Sequence, residues 1–249
     1  MQVRESIAAL ARTVGEGCDL AAIVRTGRAA PREVPGQSLA QATSADGEPV
    51  RIAVAGGKAF SFSYPDNIER LIEAGAEIVP FDALTDKALP PGVQGLVAGG
   101  GFPEVFGAEL AGNKKLLRDV RTKVDAGLPT WAECGGLLWL ARSLDGREMA
   151  WAFDADAHLT NRLALGYRTA TTLVDTPIGP AGTELRGHEF HYSSLDPPGD
   201  ALELRGRFGE GLAGFGSPTL LASYLHLHLG ADPRPAERFV ATCRAALPR

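Results

Sequence analysis

The chain has 249 residues, with 25 basic against 30 acidic side chains and a formal net charge of −5. That length holds one large α/β domain or two small ones, and 45% apolar with 22% charged residues excludes global disorder. The acidic balance excludes an electrostatic footprint for nucleic acid or anionic membrane, and no apolar run approaches the roughly 20 residues that span a bilayer.

Residues 1–26 read as helical, with Ile7, Leu10, Ala11 and Val14 on one face and Leu20, Ile23 and Val24 following. Gly15-Glu16-Gly17 interrupts them, which predicts two short helices. The Met1-Gln2-Val3-Arg4 start has no apolar signal core. Residues 26–49 turn to Gly, Pro, Ser, Gln and charge, the composition of a linker, and predict a boundary near residue 50. Strand patterns then fall at 51–55, 77–81, 95–98 and 129–132. Helical patterns at 65–74 and 116–126 end at Gly75 and Gly127, as helix C-termini do. This alternation predicts an α/β fold with a mostly parallel central sheet and helices on both faces. Function in such sheets collects at the carboxyl ends of the strands, where the glycine clusters sit. After Leu144 the text becomes β-rich and turn-rich, with a strand pattern at 169–174. The chain closes with a strand at 220–224 and a helix at 235–246.

The sharpest feature is Trp131-Ala132-Glu133-Cys134-Gly135-Gly136-Leu137. A strand runs straight into a helix with Cys134 at the turn and small residues two positions either side, Ala132 and Gly136. A nucleophile elbow has that steric requirement, and the helix N-terminus offers N–H groups and positive partial charge that favour a thiolate. The alternative is a buried structural cysteine before a glycine loop. The three cysteines, Cys18, Cys134 and Cys243, are odd in number and widely spaced, which fits a reducing compartment and no disulfide framework.

A thiol nucleophile needs a base. His226-Leu227-His228 follows the last strand, and in an extended segment positions two apart face the same way, so both imidazoles can point at one site. A metal reading would join them with His188 or His191, but no closely spaced cysteine pair supports zinc, and no metal is expected. Gly99-Gly100-Gly101 follows another strand. Its exposed N–H groups can form an oxyanion hole together with the N–H of Gly135, or simply a tight turn. Gly56-Gly57-Lys58 is not a phosphate loop, because GxxxxGK would need glycine where Ile52 stands, and no Walker A motif occurs.

Glycine-rich turn, cysteine elbow and late histidine, in this order, resemble the class I, triad-type glutamine amidotransferases of flavodoxin-like fold. The finer text resembles the C-terminal glutaminase domain of the cobyrinic acid a,c-diamide synthase family. The match lies in Ala59-Phe60-Ser61-Phe62, Tyr64-Pro65-Asp66-Asn67, Gly99 through Glu104, Ala132 through Gly136, Leu163-Ala164-Leu165-Gly166-Tyr167-Arg168, Gly187-His188-Glu189-Phe190-His191-Tyr192-Ser193 and Ser223-Tyr224-Leu225-His226-Leu227-His228. The resemblance implies that Cys134 attacks the carboxamide of L-glutamine, His226 is the general base, His228 holds the place of the orienting acid, and Gly100, Gly101 and Gly135 hold the oxyanion. It implies residues 50–249 as the amidotransferase domain and 1–49 as the remnant of a synthetase domain and its linker. ATP and Mg2+ would belong to that synthetase domain, with no cofactor on this chain. The implied partners are an ATP-dependent synthetase domain or chain and, through it, a corrinoid acceptor. A homodimer is compatible and a cytoplasmic location is expected.

Three positions depart from the family text: Gly57 in place of the usual Asp, Ser63 in place of an aromatic, and Trp151 in place of Gly. They put coupling to the synthetase in question more than glutamine hydrolysis. The rival expectations are a cysteine hydrolase or peptidase of similar shape, and a non-catalytic relic or regulatory subunit. Within the family, a siroheme-type tetrapyrrole could replace the corrinoid.

Overall fold

The computed structural model describes residues 2–29, 48–207 and 209–246. The chain divides into two compact units, Met1–Ala40 and Gln41–Arg249. In the first, α1 (Gln2–Gly17) and α2 (Leu20–Ala29) are the two short helices predicted. Asp19 separates them: its carboxylate accepts the Ala22 N–H at 2.8 Å and so caps α2. Of the expected linker, residues 26–29 close α2 instead, and 30–47 lie outside the described residues.

The second unit begins with β1 (Val50–Gly56), α3 (Pro65–Glu73), β2 (Ala76–Asp82) and β3 (Gly95–Ala98). It continues with α4 (Gly107–Gly112), α5 (Lys114–Asp125), β4 (Thr130–Glu133) and α6 (Gly135–Leu140). A β-rich stretch follows: β5 (Ser143–Leu144), β6 (Arg147–Glu148), β7 (Asp156–Thr172), β8 (Glu184–Asp196), β9 (Leu202–Gly206) and β10 (Gly209–Ala213). The chain closes with β11 (Phe215–Ser217), β12 (Leu220–Ser223), β13 (His226–Leu227) and α7 (Arg234–Ala245).

Six strands form the central sheet in the order β11-β12-β4-β3-β1-β2. All neighbours are parallel except the β11 edge. Parallel strands need both faces covered, and their near-continuous apolar text reflects this. On one face α5 and α6 bury Leu116, Val120, Leu137 and Trp139. On the other, α3 and α7 bury Leu71, Phe239 and Cys243 against Ile52 and Trp131. A Cβ at Gly95 would stand 2.5 Å from the Cys243 sulfur, so the helix packs on bare backbone there. Burial pushes the Cys243 thiol up to about 12, which leaves it an inert filler.

The β-rich text after Leu144 forms a second sheet, ordered β10-β9-β7-β5-β6, with β8 bridging β7 and β13. The short strand expected at 169–174 is the end of the 17-residue β7, which pairs antiparallel with β8 in a long arm. The register slips between Leu159 and Ala164, a bulge that re-aims the strand. Through β13, where His226 pairs with His188, the arm is laced to the carboxyl end of the central sheet.

Candidate active site

Cys134 is the first residue after β4 and sits at φ 46°, ψ −96°. A non-glycine residue in that region stores backbone strain on the order of 1–3 kcal/mol and persists only where its surroundings fix it. Here the Cys134 N–H donates to Ser223 O at 2.8 Å, and the Gly136 N–H to Gly99 O at 2.9 Å. A Cβ at Gly136 would collide with the Ala98 carbonyl. The small residue demanded two positions after the cysteine is therefore a contact requirement against β3. Cys134 as a residue is 8% exposed.

The three glycines assigned to the oxyanion converge on this turn. A Cβ at Gly135 would stand 3.0 Å from the Gly101 nitrogen, and one at Gly100 would stand 2.6 Å from Cε1 of His226. Side chains at these positions would fill the space between the cysteine turn and the imidazole. Among the described residues, no turn, loop or cap hydrogen bond runs from Gly101 N–H or Gly135 N–H to a backbone carbonyl.

His226 is 4% exposed and packs against two rings. Phe62 meets it edge-on with centroids 5.1 Å apart, and His188 stacks on it at 5.0 Å and 18°. Nδ1 lies 3.8 Å from Glu133 Oε2, an ion-pair separation, and has no closer polar partner among the described residues. Glu133 is itself fixed, because its other oxygen accepts the Leu227 N–H at 3.0 Å. With Nδ1 turned to Glu133, Nε2 is the ring nitrogen left for other partners. Burial alone pulls the His226 pKa down. Contacts with the Cys134 sulfur and the Glu133 carboxylate outweigh it, and the net value rises to about 9. His188 goes the other way, lowered by burial and by the charge on His226.

His228 does not occupy the orienting place. Both histidines border one basin, as the period of two predicts, but His228 is half-exposed with Nε2 3.3 Å from Asp66 Oδ2 and its ring edge-on to Tyr64. β13 ends at Leu227, and the groove beside Nδ1 of His226 is already filled by Glu133 from β4. Glu133 adjoins Cys134 in the sequence but was not singled out there. The signal was a carboxylate in a strand that is buried at every position.

Cys134 and His226 open into a cavity of about 250 Å³, also lined by Phe62, Phe102, Glu104 and Phe190. That is near the small end of ligand pockets, about 300–1,000 Å³. Below it, Tyr224 stacks on His191 at 3.6 Å and donates to Ser193 Oγ, while Glu189 binds Arg168 at 2.7 Å. Among the described residues no group of three His, Cys, Asp or Glu side chains is placed to hold a metal ion. No helix among them is long and apolar enough to cross a membrane.

Two of the three departures have physical reasons. Gly57 lies at φ 78°, and a Cβ there would stand 2.5 Å from Asp82 Oδ2, so Asp82 already supplies the carboxylate beside that loop. Trp151 adopts φ 55°, and the Arg121 guanidinium lies 4.6 Å over its ring, a cation–π contact that holds it there. Nothing in the structure explains Ser63.

Two solved structures share this fold. A protein from Thermoplasma acidophilum, described as one subunit of a GMP synthase, superposes with a TM-score of 0.54 at 17% identity, over 80% of this chain and 96% of its own. The PurLQS structure from Thermotoga maritima gives 0.55 at 13% identity, over 79% of this chain and 98% of the matched one. More narrowly, residues 51–234 match the CobB/CobQ-like glutamine amidotransferase domain, and the chain belongs to that family. It is 40% identical to the hydrogenobyrinate a,c-diamide synthase of Streptomyces coelicolor, over 97% of this chain and 57% of that one. It is 43% identical to the cobyrinate a,c-diamide synthase of Synechococcus, over 79% of this chain and 45% of that one. The chain thus spans about half the length of the curated relatives it matches.

Proposed function

We propose that this chain hydrolyses L-glutamine at Cys134 and supplies the ammonia for a,c-diamidation of a corrinoid acid such as hydrogenobyrinate or cobyrinate. The observation that carries this reading is Cys134 on a strained elbow, facing a buried His226–Glu133 pair and the N–H groups of Gly101 and Gly135. The Cys134 thiol passes its proton to His226, whose raised pKa holds it there. The sulfur adds to the glutamine Cδ while the carbonyl oxygen takes the charge beside Gly101 and Gly135, with Gly100 leaving room for the imidazole. His226 then gives that proton to the departing nitrogen as the C–N bond breaks. Water then attacks the glutamyl thioester while neutral His226 takes its proton. The C–S bond breaks, and glutamate leaves. Glu133 holds the ring and balances its charge.

Amidation of the acceptor belongs, on this reading, to an ATP-dependent portion outside this chain, with its ATP and Mg2+. Residues 1–49 correspond to the end of that portion and its linker. Supporting this, the Streptomyces relative aligns with 97% of the chain although the amidotransferase domain match starts only at residue 51. The three unpaired cysteines fit a cytoplasmic setting. The test is ammonia release from glutamine by the wild type and by Cys134→Ala. Equal rates would remove the nucleophile assignment.

A further inference from the structure

The outer face of the β7–β8 arm carries apolar side chains that glutamine hydrolysis does not use. Leu165 pairs with Phe190 across the two strands. These two side chains are 52% and 55% exposed, and nearby Leu163 and Tyr167 are 38% and 88% exposed. The inner face of the same arm buries Glu189 and Ser193, in the alternation of a strand anchored on one side. Large apolar side chains exposed together in this way mark an interaction surface.

That face is continuous with the site. Phe190 lines the Cys134 cavity, and Tyr167 lines a neighbouring basin. His188 and His226 are the two residues common to both linings. The basin's lining includes Arg168, Arg186 and Arg205 but no carboxylate, in a chain of net charge −5. Each arginine is paired with carboxylates outside that lining: Arg168 with Glu189, Arg186 with Glu184, and Arg205 with Glu203 and Glu210. The surface therefore has an apolar centre at the cavity mouth and, beyond the two imidazoles, an end made of arginine–carboxylate pairs.

We propose that this face docks the ATP-dependent portion that the relatives carry and this chain does not span. The contact would be centred on the apolar side chains of Leu163, Leu165, Tyr167 and Phe190. The inference rests on the glutaminase reading, because a partner that consumes ammonia must cover the mouth from which it leaves and keep water out. The chain matches only 57% of the Streptomyces relative's length, so that relative carries a further stretch of chain in which such a partner can lie.

The test is hydroxyl-radical footprinting of the chain alone and of a chimera in which it replaces the matching part of the Streptomyces coelicolor enzyme. Ammonium-dependent amidation by the chimera serves as the folding control. Oxidation of Tyr167 and Phe190 is expected to fall about fivefold or more in the chimera, as at the centre of an interface. Unchanged oxidation would overturn the assignment. Leu163→Glu with Leu165→Glu should restore oxidation without altering glutamine hydrolysis by the chain alone, since neither side chain lines the cavity. Persistent protection in that variant would also overturn it. Protection in the chain alone that grows with its concentration would assign the face to a second copy instead. Footprinting reads coverage rather than turnover, so a failure of docking is distinguishable from a failure of the Cys134 assignment.

Discussion

Glu133→Gln isolates the charge that the structure places beside His226. The amide keeps the shape and can still accept the Leu227 N–H, so the turn at Cys134 should survive. What disappears is a carboxylate 3.8 Å from Nδ1. His226 rises from 6.5 to about 9 in the fold. A raised pKa stabilises the fold fully below pH 6.5, and that contribution is lost as pH climbs through 9. At pH 7 the shift corresponds to about 2–3 kcal/mol, shared between Glu133 and the Cys134 sulfur. Glu133→Gln should therefore lower stability at pH 7 by about 1–2 kcal/mol, with the difference fading above pH 9. Chemical denaturation from pH 5 to 10 reads the stability, and NMR titration of the His226 ring reads the pKa. Glutamine hydrolysis should fall about 10²–10⁴-fold, as when the orienting acid of a triad is neutralised. An unchanged His226 titration together with wild-type turnover would refute the orienting role of Glu133.

His228→Ala should leave glutamine hydrolysis within about twofold of wild type in a steady-state assay, because its exposed ion pair with Asp66 contributes little. Gly136→Ala forces a methyl against the Ala98 carbonyl. A loss of about 1–3 kcal/mol in denaturant unfolding, accompanied by loss of turnover, is expected. Native alkylation followed by peptide mapping should modify exposed Cys18 and leave Cys243, which is fully buried, untouched until the protein unfolds.

The elbow was legible in the sequence because its demands are steric and local. Ala132 and Gly136 are small where β3 presses close, and Gly100 is bare where an imidazole must fit. The parallel sheet was legible from short apolar runs alternating with helical patterns closed by glycine, such as the helix ending at Gly75, where φ reaches 99°. The long β7–β8 arm was not. Its outer face is apolar without being buried, so Leu163, Leu165 and Tyr167 give no solvent-side polarity to mark the strand. Glu133 was hidden for the opposite reason, as a carboxylate inside a fully buried strand whose partner lies 93 positions on at His226. Spacing within a short motif suggested His228 for the orienting place. The tertiary fold instead brings a residue from another strand to Nδ1.

The most direct measurement is an acid quench of the protein turning over glutamine, read by intact and peptide mass alongside ammonia release. The wild type should show a glutamyl adduct on the peptide carrying Cys134, formed at a rate sufficient for turnover, and Cys134→Ala should show neither adduct nor ammonia. Ammonia release by Cys134→Ala at the wild-type rate, or an adduct on Cys18 in place of Cys134, would contradict the assignment of Cys134 as the nucleophile.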